Sequence, residues 1–443
     1  MVLGDTASGR PRALPMAMVL SNRTDGSQPD SEADLGDPGA SERGLHRERE
    51  PSEHLGRGDP MTAPTAQEVS MFEDLDVAQR LDWASRHLEL SRWACESLPS
   101  LSGMRLAATV HIDVKFAVVA LHLRRLGADV FLAAASPHTT RDDIRLALEQ
   151  HGVVSHAWRG MSEVDRLDGV AKALAWGPTH TCEMGADLSV FAARTAQQGI
   201  VAGLEATQTG INRLADVQPA YPLFNWDHVP IKAGLHNRYA VGRSTWMAFV
   251  GRTQLSLQGR RVLVVGFGPV GQGLADMARA LGGDVVVADL DPVRRLTAQH
   301  SGWRTGDLDE VLPMADVVAT ATGRQGVLGA ERLALLPAGS FLVNAGHADD
   351  EIELEALTGR RALVPYVESC RVGDKELYLF AGGAPANITA GFGDTLDSFD
   401  VTLAVLVRGI GHIAGAGAAA PAGVHQLPES AWMPVAERAS RLH

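Results

Sequence analysis

Lysine is nearly missing from this sequence. Its 443 residues include four, Lys115, Lys172, Lys232 and Lys375, and arginine supplies 36 of the 40 basic residues. Arginine serves wherever only a solvated positive charge is needed, so each surviving lysine calls for a further reason. Cysteine is scarce too. Cys95, Cys182 and Cys370 are widely spaced, match no zinc pattern and are odd in number, which argues against a disulfide framework and fits a reducing cytoplasm. No apolar run reaches the roughly 18 residues of a membrane-spanning helix. Positive charge is not in excess: 40 basic against 53 acidic residues leave −13, against any broad basic surface for nucleic acid or anionic lipid. What remains, 45% hydrophobic and 21% charged, is the balance of a globular protein, long enough for two or three domains of about 100–200 residues each.

Residues 1–65 are rich in Gly, Ser, Pro and charge and lack hydrophobic periodicity, so they are expected to be disordered. From Met71 onward helical patterns (72–98, 114–126, 141–151, 162–175, 187–197) alternate with short apolar strands (105–110, 128–134, 154–158, 179–183, 199–204). A second series of strands follows at 262–266, 284–290, 315–320, 340–344 and 363–366. This alternation predicts an α/β fold of two doubly wound, Rossmann-like parallel sheets with a cleft between them. The expected division is 66–242 plus 394–420 for one domain, made discontinuous by a last helix at 394–412 that packs back on it. Residues 243–393 form the other, and 421–443 a short C-terminal segment.

The second series opens on Val262-Leu-Val-Val-Gly266-Phe-Gly268-Pro-Val270-Gly271, a strand running through Gly-x-Gly-x-x-Gly into a helix. Gly266 permits the tight turn, Gly268 lets a pyrophosphate approach backbone, and Gly271 lets helix and strand pack closely. Asp289 lies 23 residues after Gly266, near the spacing of about 20 expected of a carboxylate on the adenosine ribose. A carboxylate there repels a 2′-phosphate, so the expected cofactor is NAD, with the nearby Arg294 as a mild counter-signal. No metal site is expected.

Further segments occur in one order: His111-Ile-Asp113-Val, Ala157-Trp-Arg-Gly160, Glu205-Ala-Thr207-Gln208-Thr209-Gly210, Lys232-Ala-Gly-Leu-His236-Asn237, Ala321-Thr322-Gly323, Asn344-Ala-Gly346-His347, Gly383 to Asn387, and Gly423-Val-His-Gln-Leu-Pro428. In that order and spacing the chain resembles the S-adenosylhomocysteine hydrolase family from about residue 71 to 440. The resemblance implies an NAD-dependent enzyme. In this family the 3′-hydroxyl of a nucleoside is oxidised transiently, the acidified C4′ hydrogen is removed, and the C5′ substituent is eliminated. It also implies roles. Lys232 helps deprotonate the 3′-hydroxyl and Asn237 stands beside it. His111 and His347 flank C5′ and the sugar. Thr207, Gln208, Thr209, Thr322, Asn344 and Asn387 lie around the cofactor. A homo-oligomer, dimer or tetramer, is expected.

The departures from the family pattern are as informative. Met184 and Ala206 stand where the family has an aspartate and a glutamate, and His236 replaces a second aspartate beside the lysine. Asp394 replaces a histidine after Gly393. Asp113, Lys115 and Arg141 occupy positions that contact the purine in the family. The neighbouring acid Glu183 is expected to point away from Met184's side of its strand. Kept redox residues with an altered base pocket favour a lyase or dehydratase acting on a modified nucleoside in natural-product biosynthesis. The alternatives are standard hydrolysis of S-adenosylhomocysteine and a catalytically dead NAD-binding regulator of a true hydrolase. A two-domain 2-hydroxyacid-type dehydrogenase is disfavoured, because Lys232 and Thr207–Thr209 have no role there.

Overall fold

The computed structural model describes residues 72–215, 217–347 and 349–442. The segment 1–65 lies outside the described residues. Two units are delimited, Met1–Asp82 and Trp83–His443, and the second holds both sheets.

The strands in chain order are β1 (Arg105–Val110), β2 (Asp129–Ala134), β3 (Val154–His156), β4 (His180–Glu183), β5 (Ala202–Glu205), β6 (Pro222–Asn225), β7 (Arg261–Val265) and β8 (Asp284–Ala288). They continue with β9 (Arg304–Thr305), β10 (Val317–Thr320), β11 (Phe341–Asn344), β12 (Thr358–Val364), β13 (Val367–Val372), β14 (Lys375–Phe380) and β15 (Gly423–Gln426). The first sheet runs β15-β6-β5-β4-β1-β2-β3 and is parallel throughout. Helices cover both faces of such a sheet, so its inner strands bury nearly every residue, as β1 does from Leu106 to Val110, whereas the edge strands β3 and β15 do not. The second sheet runs β12-β13-β14-β11-β10-β7-β8-β9.

Chain order reverses direction between β4 and β1 in the first sheet and between β10 and β7 in the second. In an open α/β sheet, ligands bind beyond the carboxyl ends of strands at such a point. The cluster described in the next subsection gathers beyond the strand ends of both sheets.

After the second sheet the chain returns to the first through the helix Leu396–Ile413. Asp400 of that helix accepts Leu90 N at 2.7 Å and Ser91 N at 2.8 Å. It thereby satisfies free amides in the first turn of the helix Glu89–Glu96. The segment set apart at 421–443 contains β15, which extends the first sheet alongside β6.

Two expectations differ from the structure. The helix expected over 72–98 is a short 3-10 turn, Phe72–Asp74, followed by two helices, Val77–His87 and Glu89–Glu96, broken at Leu88 (φ −104°, ψ 58°). The strand expected at 363–366 straddles a hairpin turn: Tyr366 has φ +67°, and β12 and β13 pair antiparallel on either side of it. The β12–β13–β14 meander closes one edge of an otherwise parallel sheet. Its edge strand β12 is exposed along its length, so no buried apolar run announces it.

Candidate active site

Beyond β6 the chain enters a ten-residue π-helix, Ile231–Ala240, continued as the α-helix Val241–Thr253. Bonds from residue i to i+5 are rare and often mark functional sites. Here they bring Lys232 and Asn237 onto one face: Lys232 Nζ donates to Asn237 Oδ1 at 2.6 Å. Asn237 Nδ2 donates in turn to Asp227 Oδ1 at 3.2 Å, and that oxygen lies 3.7 Å from Lys232 Nζ. Burial lowers the Lys232 pKa and Asp227 opposes that shift. The π-helix is held in place by glycines. A Cβ on Gly273 would stand 2.3 Å from Arg238 O, and one on Gly242 would stand 2.3 Å from the carbonyl carbon of Gly273.

His111 follows β1 and His347 follows β11, and their rings meet edge to face with centroids 5.9 Å apart. His111 Nδ1 is bonded to Thr139 Oγ1 at 2.9 Å, and His347 to the backbone carbonyl of Met184. Burial, then the neighbouring His347, pushes His111 down to about 3; burial and Lys232 also lower His347. Both rings are neutral at pH 7. Gly346 is required in this turn, since a Cβ there would stand 1.9 Å from Glu351 Oε1. Asn344 fastens the same turn, accepting Gly346 N at 2.7 Å and donating to Gly383 O at 2.9 Å.

The other π-helix residue, His236, pairs through Nε2 with Asp394 Oδ2 at 2.5 Å. Ser244 Oγ donates to Asp394 Oδ1 at 2.6 Å. Burial pushes the Asp394 carboxyl up, but His236, Ser244 and Lys115 outweigh it and leave it below the ordinary carboxylate range.

On the second sheet, Gly266 has φ +94°, and a Cβ on Gly271 would stand 1.8 Å from Gly266 O. The helix Pro269–Ala280 begins at Gly268 without a side-chain cap, so the Val270 and Gly271 amides are left to meet a phosphate. Asp289 at the end of β8 accepts Phe267 N at 2.6 Å, which sets the carboxylate against the glycine turn. Arg294 Nη1 is 3.9 Å from it. These residues fit a dinucleotide.

Several candidate residues are committed to the chain itself. Thr207 caps the helix Gln208–Arg213, accepting Gly210 N at 2.9 Å and donating to Glu205 at 2.6 Å; Thr209 lies in that helix's first turn. Gln208 bonds Asn212 and His228. Asn387 is buried in the helix Ala386–Thr389. Thr322 is tied by its amide and hydroxyl to Glu351.

The base-pocket candidates behave likewise. Asp113 caps the helix Val114–Arg125, and Lys115 Nζ bonds Asp113 Oδ2 and Phe392 O, both at 2.7 Å. Arg141 Nη2 donates to Gly391 O at 2.7 Å. With Arg159 on Thr389 O (3.0 Å) and Arg252 on Ala390 O (2.7 Å), four successive carbonyls each meet a cation.

Asp227 and Glu351 escaped the sequence reading. Asp227 carries a weak signal, a carboxylate five residues before a rare lysine. Glu351, buried under the Thr322 loop, carries none. Glu183 points away from the site, as expected: it accepts Leu188 N at 2.8 Å and Ser189 N at 3.2 Å.

Family models for the NAD-binding domain of S-adenosyl-L-homocysteine hydrolase match residues 237–390, and for S-adenosyl-L-homocysteine hydrolase residues 88–210. An adenosylhomocysteinase from Aeropyrum pernix is 32% identical over 361 residues, covering 77% of this chain and 87% of that one. The chain belongs to the S-adenosyl-L-homocysteine hydrolase family. Its cofactor is therefore NAD, which the Gly266–Gly271 turn, the helix N-terminus and Asp289 suit. An adenosylhomocysteinase from Thermococcus kodakarensis is 33% identical over 350 residues, covering 76% of this chain and 83% of the other. An S-inosyl-L-homocysteine hydrolase from Methanopyrus kandleri is 29% identical over 398 residues, covering 86% and 91%. No group of three or more metal-ligating side chains occurs among the described residues, nor any helix long and apolar enough to cross a membrane.

Proposed function

We propose that this family member is an NAD-dependent nucleoside enzyme that eliminates a C5′ substituent after transient oxidation at C3′, and that its substrate is a modified nucleoside. The observation that carries the reading is the Lys232–Asn237–Asp227 cluster beside the His111–His347 pair. Bound NAD supplies reversible oxidation of the ribose carbon. Lys232, its pKa lowered by burial, takes the 3′-hydroxyl proton and later returns it. Asn237 fixes the direction of the Nζ lone pair, and Asp227 holds Asn237. The neutral His111 and His347 supply the remaining proton transfers: one takes the C4′ proton and, as the imidazolium so formed, gives it to the departing C5′ group.

Met184 and Ala206 leave no carboxylate at two sugar positions, which supports a net elimination, lyase or dehydratase, over standard turnover. Hydrolysis of an S-nucleosylhomocysteine is the second reading, favoured by the names of the relatives. The same reading gives a small-molecule nucleoside substrate and, as the working assembly, a cytoplasmic homo-oligomer.

The test is mass spectrometry of the purified protein incubated with S-adenosylhomocysteine, S-inosylhomocysteine and a panel of 5′-modified nucleosides. Loss of the 5′ group without gain of water supports the lyase reading. Homocysteine release together with adenosine or inosine, the nucleoside product having gained water, establishes hydrolysis instead. NAD retained with no turnover of any compound leaves a regulator.

A further inference from the structure

Two positions where the chain departs from its family meet in the fold. His236, on the π-helix, and Asp394, some 158 residues later, are paired at 2.5 Å, and Ser244 holds the second carboxylate oxygen at 2.6 Å. The Asp394 side chain is 3% exposed, whereas His236, Lys232 and Asp227 retain 11%, 12% and 11%. His236 Nδ1 is buried and has no hydrogen-bond partner among the described residues. A buried polar nitrogen left unmatched is costly, so it needs a donor.

Which kind of group it needs follows from the pair. Asp394 is an anion and accepts from His236 Nε2, which must carry the hydrogen. In a neutral imidazole the other nitrogen is then a bare acceptor. Burial and the adjacent Lys232 keep the ring neutral, against the opposing pull of Asp394 and Asp227. The Phe399 ring packs edge to face against the imidazole, with centroids 5.2 Å apart.

We propose that the His236–Asp394 dyad is a specificity device: a fixed acceptor that grips the hydrogen of the ribose 3′-hydroxyl while Lys232 faces its oxygen. The proposal rests on the nucleoside reading given above. The aspartate and histidine of the family pattern are exchanged here, so the carboxylate sits behind the imidazole. The hydroxyl meets a neutral acceptor in place of a charged one, beside a lysine that must lose its proton.

The experiment is a ligand-by-residue cycle read by calorimetric binding to the NAD-loaded protein, with adenosine, inosine and their 3′-deoxy forms as probes. Loss of the 3′-hydroxyl weakens binding about tenfold, equivalent to ~1.4 kcal/mol. H236Q keeps a donor for Asp394 at the place of Nε2 but has no acceptor at Nδ1, and in it the 3′-deoxy penalty falls to at most about twofold. H236N, with its amide near Nδ1, restores part of the penalty. Affinity of the unmodified protein for inosine drops on acidification as Nδ1 is protonated, and H236Q abolishes that drop. An unchanged 3′-deoxy penalty in a folded, NAD-loaded H236Q protein overturns the dyad alone. Failure of the unmodified protein to bind any of the four probes overturns the nucleoside reading beneath it.

Discussion

His111 and His347 come from different sheets and stand edge to face at 5.9 Å, each with one ring nitrogen tied to the chain. Thr139 and the Met184 carbonyl fix the two rings, and burial keeps both neutral. A neutral ring held in this way is ready as a base, and it becomes an acid only once it has taken a proton.

Lys232→Arg is expected to keep fold and bound NAD and to abolish oxidation, because the guanidinium cannot lose its proton near neutral pH. The check is the near-ultraviolet absorbance of reduced nicotinamide after substrate addition, together with turnover. Normal reduction in the variant would remove Lys232 from the mechanism.

Asp227→Asn takes away the carboxylate that raises the Lys232 pKa, so the pKa falls further. The acid limb of the kcat profile then moves to lower pH, with an unchanged profile as the contrary result. Asp227 shows what could be read in advance and what could not. The glycine turn, Lys232 and the histidines announce themselves through rare residue types at fixed spacing. Asp227 and Glu351 are common acids whose importance comes from buried contacts. Besides Asp113 on Lys115, both Lys115 and Arg141 donate to backbone carbonyls at least 250 residues away. Backbone groups carry no residue-type signal, so an apparent base reader was a cation already satisfied.

Lys115→Glu restores the family's residue type but places a second carboxylate against Asp113. The expected outcome is a loss of about 3 kcal/mol of stability, by analogy with broken buried pairs, and no gain in adenosine affinity. Thermal melts and calorimetry decide between this and a ligand-facing lysine.

Asp289→Ala should weaken NAD about tenfold or more, given the worth of a charge-assisted hydrogen bond, and weaken NADP less. Equal losses in equilibrium binding would exclude the ribose contact.

Glu183 and Glu205 face each other in register on β4 and β5, both fully buried. Burial raises both carboxyls; Glu205 raises Glu183 further, while amides and Thr207 pull Glu205 part of the way down. The folded state holds these protons more tightly than the unfolded one. Stability from the pair is full below the ordinary value of 4.5 and is lost as pH rises through the raised folded values. Glu183→Gln should flatten this decline in melting temperature, and an undiminished slope would place the linkage elsewhere.

The carbonyls of Thr389, Ala390, Gly391 and Phe392 are each gripped by a different cation, Arg159, Arg252, Arg141 and Lys115. Three of the four reach over from elements of the first sheet and one from the helix Val241–Thr253. Four adjacent carbonyls thus pin one short stretch of backbone to four separate parts of the chain, and any displacement of that stretch has to give up several charge-assisted hydrogen bonds together.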